Sequence, residues 1–116
     1  MEDKYKKLDA SFYCSPNGTE PVREWLKGLN PDDRRVLGYS IGLVEFGWPI
    51  GMPLCRSLGG GLWEVRSSLR DNRMARVIFC ATQGHMVLLH GFIKKNQKTP
   101  QDEMELARKR QKEIDE

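Results

Sequence analysis

Three stretches of β character, residues 62–68, 74–82 and 85–94, are separated by little more than the turn signals Asp71-Asn72 and Gln83-Gly84. This spacing leaves the chain few choices of fold. Strands so close together pair as antiparallel neighbours, since a parallel return needs a long crossover. A meander of three strands is therefore expected, and the rest of the chain must pack on it. Lys7 to Tyr13 reads as one further short strand, closed by the turn residues Ser15-Pro16-Asn17-Gly18.

Helix signals follow at once. Thr19 or Glu20 stands near an N-cap, and Pro21 suits the first turn because its missing N–H has no helical partner to lose. Val22, Trp25, Leu26 and Leu29 then fall at i, i+3, i+4 and i+7, which makes one apolar stripe. Asn30-Pro31-Asp32-Asp33 ends that helix and caps a second, with its acids at the favourable end of the dipole. Leu37, Ile41 and Val44 continue as the buried face, Gly47 is a reasonable stop, and the pair forms an αα-hairpin. Residues 47–61, with Pro49, Pro53 and the triple Gly59-Gly60-Gly61, read as loop. A last helix is announced by Thr99 as N-cap, Pro100 and the acid Asp102. Met104 and Ala107 are its expected contacts, and its tail Arg108–Lys112 is expected to stay in solvent. The predicted fold is α+β with the order β-α-α-β-β-β-α, a small twisted antiparallel sheet. Its helices would pack on one face and leave the other open.

The chain has 116 residues, enough for one domain spanning 1–116 and for one core without staples. Hydrophobic residues make up 39% and charged residues 30%, the balance of a globular chain rather than a disordered one. No apolar run approaches the ~20 residues that span a bilayer. The start, Met1-Glu2-Asp3-Lys4, has no signal-peptide character, so a cytoplasmic location is expected. Cys14, Cys55 and Cys80 are odd in number and lack CxxC spacing, and only His85 and His90 could join them as ligands. They are read as reduced, packed thiols, and no metal or other cofactor is expected.

Charge is unevenly spread. From Leu62 to Lys98 there are seven Arg/Lys against two acids, whereas residues 1–61 hold eight of each. Residues 99–116 hold four basic and six acidic side chains. The excess lies where the sheet is expected, so a basic sheet face suited to nucleic acid follows.

The segments Phe46-Gly47-Trp48-Pro49-Ile50-Gly51, Leu58-Gly59-Gly60-Gly61-Leu62-Trp63-Glu64-Val65-Arg66, Arg76-Val77-Ile78-Phe79 and His90-Gly91-Phe92-Ile93-Lys94-Lys95, with Lys98-Thr99-Pro100, carry a family resemblance. Together they resemble the phage-derived, HigB-like branch of the RelE/ParE toxin superfamily, over about Pro21 to Ala107. The resemblance implies a small antiparallel sheet with two N-terminal helices and one C-terminal helix. It also implies a type II toxin–antitoxin pair whose partner is a helix-turn-helix (HigA-like) antitoxin. RelE- and HigB-type members cleave mRNA in the A site of the 30S/70S ribosome, so a ribosome-dependent mRNA endonuclease is the leading expectation. ParE-type members inhibit gyrase instead, and a non-toxic phage-derived module binding nucleic acid or antitoxin is a third reading.

Metal-free RNA cleavage requires the 2′-hydroxyl to attack its own phosphate, with one group taking its proton, another protonating the 5′-oxygen, and cations holding the phosphorane charge. The sequence offers cations rather than paired carboxylates or paired histidines. By motif, Arg66 matches the second basic position of the family's Tyr-basic-Ile-basic strand, and Arg76 the arginine opening the next strand. Lys94 and Lys95 match the basic pair that ends the last one. Arg66 and Arg76 are expected to clamp the scissile phosphate, because a guanidinium fork fits two of its oxygens. Lys95 or Lys94 is the proton-transfer candidate, a lysine among cations being easier to deprotonate. His90 is a second candidate for that role, although a histidine set among Leu88, Leu89 and Phe92 is more often a hydrogen-bonded core residue. Arg73 and Lys98 are expected phosphate contacts. Two departures from the family stand out: Glu64 replaces a lysine of RelE itself, and Gln101 stands near the place of a C-terminal tyrosine. Trp25, Trp48 and Trp63 are read as packing residues.

Overall fold

The computed structural model describes residues 5–94 and 99–115. The elements are β1 (Asp9–Phe12), α1 (Pro21–Lys27), α2 (Pro31–Gly47), β2 (Cys55–Gly59), β3 (Leu62–Ser68), β4 (Met74–Thr82), β5 (His85–Lys94) and α3 (Gln101–Asp115). The three strands expected as a meander form over the expected residues. Both of their turns put two successive residues at positive φ: Asp71 and Asn72 at 63° and 58°, Gln83 and Gly84 at 49° and 79°. That backbone matches the right-handed twist of paired strands.

The loop expected over 47–61 is corrected by the same chemistry. Gly60 and Gly61 also stand at positive φ, 63° and 82°, and turn a third hairpin. Cys55–Gly59 thereby becomes an edge strand antiparallel to β3, with Arg56 opposite Glu64. The sheet order is β1-β5-β4-β3-β2. β1 pairs parallel with β5, so the sheet is mixed and not wholly antiparallel.

The helical hairpin forms as its caps predict. Asn30 accepts the Asp33 N–H at 2.8 Å, and Pro31 opens α2. Arg34 turns back to donate to the carbonyls of Leu26, Lys27 and Leu29, which satisfies the open end of α1. Leu37, Ile41 and Val44 bury against Val65, Val77 and Phe79 of the sheet, together with Val22 of α1. Ser67 donates to Ser40 at 2.7 Å, fastening β3 to α2. Trp48 packs edge-on against Trp63 and Phe79, as packing residues should.

The expectation that all helices share one face fails. Leu62, Ile78, Cys80 and Leu89 project away from the hairpin into a second core with Ala107, so α3 lies on the opposite face. Alternation along a strand forces this: β4 and β5 carry apolar side chains on both sides and need cover on both. Thr99 is not a side-chain cap of α3, because its hydroxyl is engaged by the sheet; the Met104 N–H bonds to the Pro100 carbonyl instead. Nor is the α3 tail wholly solvated. Arg110 is half-buried, donates to the Leu89 carbonyl at 2.7 Å and lies over the Tyr13 ring. Tyr13 in turn bonds Glu113, and burial holds the Arg110 guanidinium below the usual arginine range. Among the described residues, no helix is long and apolar enough to cross a membrane.

Candidate nucleic-acid interface

Strand pleating decides which charges meet. Val65 and Ser67 of β3 turn toward the helical hairpin, so Glu64 and Arg66 turn toward the α3 side. Register brings partners from both neighbours to that side: Arg56 of β2 beside Glu64, and Arg76 of β4 beside Arg66. Lys94 ends β5 opposite Met74, two residues beyond the Phe92 that pairs with Arg76. α3 covers the half of this face built on Leu62, Ile78, Cys80 and Leu89. The cations occupy the sheet beside it.

Arg66 and Arg76 are adjacent but not equivalent. Arg66 is half-buried, whereas Arg76 is 0% exposed. Arg76 Nη1 donates to Thr99 Oγ1 at 2.9 Å and lies 3.8 Å from Glu64 Oε1. The Thr99 hydroxyl in turn donates a hydrogen bond to Glu64 Oε2 at 2.6 Å, closing a buried triangle. Burial pulls the Arg76 pKa below the ordinary arginine value; Glu64 pushes it back up, while nearby Arg66 and Arg56 lower it. A buried guanidinium stays charged only beside a counter-charge. That explains the acid at position 64: it neutralises Arg76 from within the sheet. The expected pair of exposed arginine forks is thus one surface arginine backed by a buried one.

His90 lies outside this group. It pairs with Ile78, its Nε2 is 3.1 Å from Glu103 Oε1, and its Nδ1 is 3.5 Å from Arg110 Nη1. It also stacks on Phe92, so it belongs to the docking of α3. Arg73 is held elsewhere again. Its Nη1 and Nη2 donate to the two Asp33 oxygens at 2.8 and 3.2 Å, tying the β3–β4 turn to the start of α2. Arg73 in turn holds the Asp33 carboxyl below the ordinary carboxylate range, chiefly by its hydrogen bonds. Lys95 and Lys98 lie outside the described residues.

Two members of the cluster were missing from the sequence reading. Arg56 falls in the stretch expected as loop, yet it is an exposed strand residue beside Glu64. Reading Gly60-Gly61 as a two-residue hairpin turn would have found it. Thr99 has the sequence setting of a cap, and nothing local distinguishes a capping threonine from one that reaches across to a sheet.

Exposed Arg56 and half-buried Arg66 and Lys94 therefore form a positive strip on this face, with the buried Arg76–Glu64 pair among them. Such a strip can bind phosphates and stabilise added negative charge. The family model for phage derived protein Gp49-like (DUF891) matches residues 24–112, from within α1 into α3. No curated protein matches the sequence. With most of its length covered by that model, the chain belongs to the phage-derived Gp49-like family, within the RelE/HigB-like superfamily of toxin–antitoxin toxins.

Proposed function

We propose that this protein is the toxin of a type II toxin–antitoxin pair and arrests translation by cutting mRNA on the ribosome. The observation that carries the reading is the cationic strip on the open part of the sheet. Arg66 and Arg56 grip the phosphates, and Lys94 contributes charge at the strand end. Cleavage proceeds by attack of the 2′-hydroxyl on the adjacent phosphorus, releasing the 5′-oxygen and leaving a cyclic phosphate. The cations stabilise the phosphorane, which carries more charge than the ground state. Arg76 is a positioning residue in this scheme: wholly buried, it holds Glu64 and Thr99 beside Arg66. Proton transfer falls to Lys94, which ends β5, or to Lys95, the next residue in the sequence, since His90 is engaged by Glu103 and Arg110 under α3. The partner is a helix-turn-helix antitoxin that covers the strip or sets acids against it, and charge complementarity speeds their association.

The test is induction of the chain in bacterial cells, followed by primer extension on abundant transcripts. New 5′ ends within translated regions, absent for Arg66→Ala, support the reading. Growth arrest with intact transcripts and gyrase-linked DNA damage overturns it in favour of the gyrase alternative. Harmless overexpression without an antitoxin points instead to a binding module.

A further inference from the structure

Arg108 of α3 is exposed and sits over the turn between β2 and β3, where a Cβ built on Gly60 would lie 3.1 Å from its Nη1. Gln111, one helical turn on, donates to the Gly60 carbonyl at 3.0 Å and holds this flank of α3 against the turn. β2 leads from Arg56 to the same turn, and Leu58 between them packs against the core under α3. Alternation along the strand puts Arg56 on that side too. Arg66, Arg56 and Arg108 therefore line one course, from the open sheet along the edge strand to the hairpin turn. Arg56 stands four residues before Gly60, about 13 Å along the strand.

Arg56 and Arg108 differ in charge environment from the other surface arginines. On the helical hairpin and the β3–β4 turn, Arg23, Arg35 and Arg70 each stand beside an acid, at 3.3, 3.4 and 3.9 Å. Among the described residues, neither Arg56 nor Arg108 has an acid partner. Glu105, one turn before Arg108, accepts from Gln101 at 3.4 Å instead. Glu64, the acid beside Arg56, is buried and held by Arg76 and Thr99. Lys112 follows Arg108 at i+4 and is exposed as well. No ion pair has to break before these cations meet a polyanion, so each phosphate they neutralise releases its counterions without that cost. A chain of phosphates, one charge per nucleotide, matches cations spaced by uncharged residues.

We propose that the phosphate-binding strip continues along the β2 flank of α3, with Arg108 a further contact for the backbone of a single-stranded RNA that lies across Arg66 and Arg56. Lys112 adds charge where the RNA leaves the protein. α3 is then both the cover of the second core and one wall of the RNA course. The inference rests on the reading that the strip binds RNA and is independent of the cleavage step.

Fluorescence anisotropy on the full chain, with single-stranded RNAs of about three and about nine nucleotides, tests it. Arg108→Ala is expected to bind the longer RNA about three- to tenfold more weakly than the native chain, with the salt slope lowered by about 1. The shorter RNA, held within the strip, is expected to bind as before. Arg108→Lys should keep most of the affinity for the longer RNA. Arg35→Ala removes the same charge from the helical-hairpin side and should change neither affinity. Arg108 is exposed, so its variants are expected to keep the native circular dichroism spectrum. Native-like binding of the longer RNA by Arg108→Ala overturns the proposal, even if an acidic protein is found to need Arg108. A loss for Arg66→Ala in the same assay then leaves the strip itself standing. If Arg66→Ala also binds as the native chain does, the strip reading falls as well. An equal loss for Arg35→Ala overturns the proposal too, since net charge alone then accounts for the effect.

Discussion

Arg76 and Glu64 face each other at 3.8 Å with both side chains wholly buried, and Thr99 is hydrogen-bonded to each. The pair sits beside Arg56 and Arg66 on the same face of the sheet, so its integrity and theirs are linked. Removing one partner strands the other charge inside the sheet. Arg76→Ala is expected to cost about 3–5 kcal/mol in urea unfolding, far more than a surface arginine. Arg76→Met combined with Glu64→Leu should recover most of that loss, because an apolar pair needs no desolvation. A stable, folded Arg76→Ala single variant would remove the structural role assigned to Arg76.

RNA affinity separates the strip from the other arginines. Fluorescence anisotropy with a short single-stranded RNA is expected to show weaker binding for Arg56→Ala and for Arg66→Ala. Each should also lower the salt slope of binding by about 1. Arg73→Ala should leave the affinity unchanged, since its guanidinium already serves both Asp33 oxygens. An Arg73→Ala loss equal to that of Arg66→Ala would place the interface elsewhere.

Gly91 is fixed by a close neighbour. A Cβ there would lie 2.4 Å from Cζ3 and 2.5 Å from Cε3 of the Trp25 ring, which packs α1 onto β5. Gly91→Ala is expected to destabilise the fold by about 1–3 kcal/mol through overpacking. Adding Trp25→Leu should give less than the sum of the two single losses, because the clash disappears with the ring. Strict additivity in thermal melts would show that the contact is not the cause.

The Asp33–Arg73 pair makes a pH prediction. Arg73 holds the Asp33 pKa below 3.8 in the folded chain, so the fold favours the carboxylate. Its contribution is fully present above the unfolded value and is lost as pH falls through the lower folded one. The Tm difference between the native chain and Asp33→Asn should thus be constant above about pH 5 and shrink below about pH 4. A difference that grows on acidification would contradict the sign.

The sequence by itself determined the local elements. Glycines, asparagines and prolines at defined offsets specify turns and caps, and a 3.6- or 2-residue apolar period specifies helix or strand. Hence β3, β4, β5 and the helical hairpin lie where the pattern puts them. The same local chemistry operates at Gly60-Gly61, and a loop reading of residues 47–61 leaves out both β2 and Arg56. Tertiary structure decided what depends on residues distant in sequence. It placed α3 on the second face of the sheet, because two-sided apolar strands demand cover on both sides. It split Arg66 from Arg76, alike as strand arginines in the sequence and brought side by side only by the β3–β4 register, into a half-buried cation and a wholly buried one. That division was settled by Glu64 and by Thr99, 35 positions further on. Burial and charge pairing are properties of a neighbourhood, and the neighbourhood forms only once the sheet and α3 have come together.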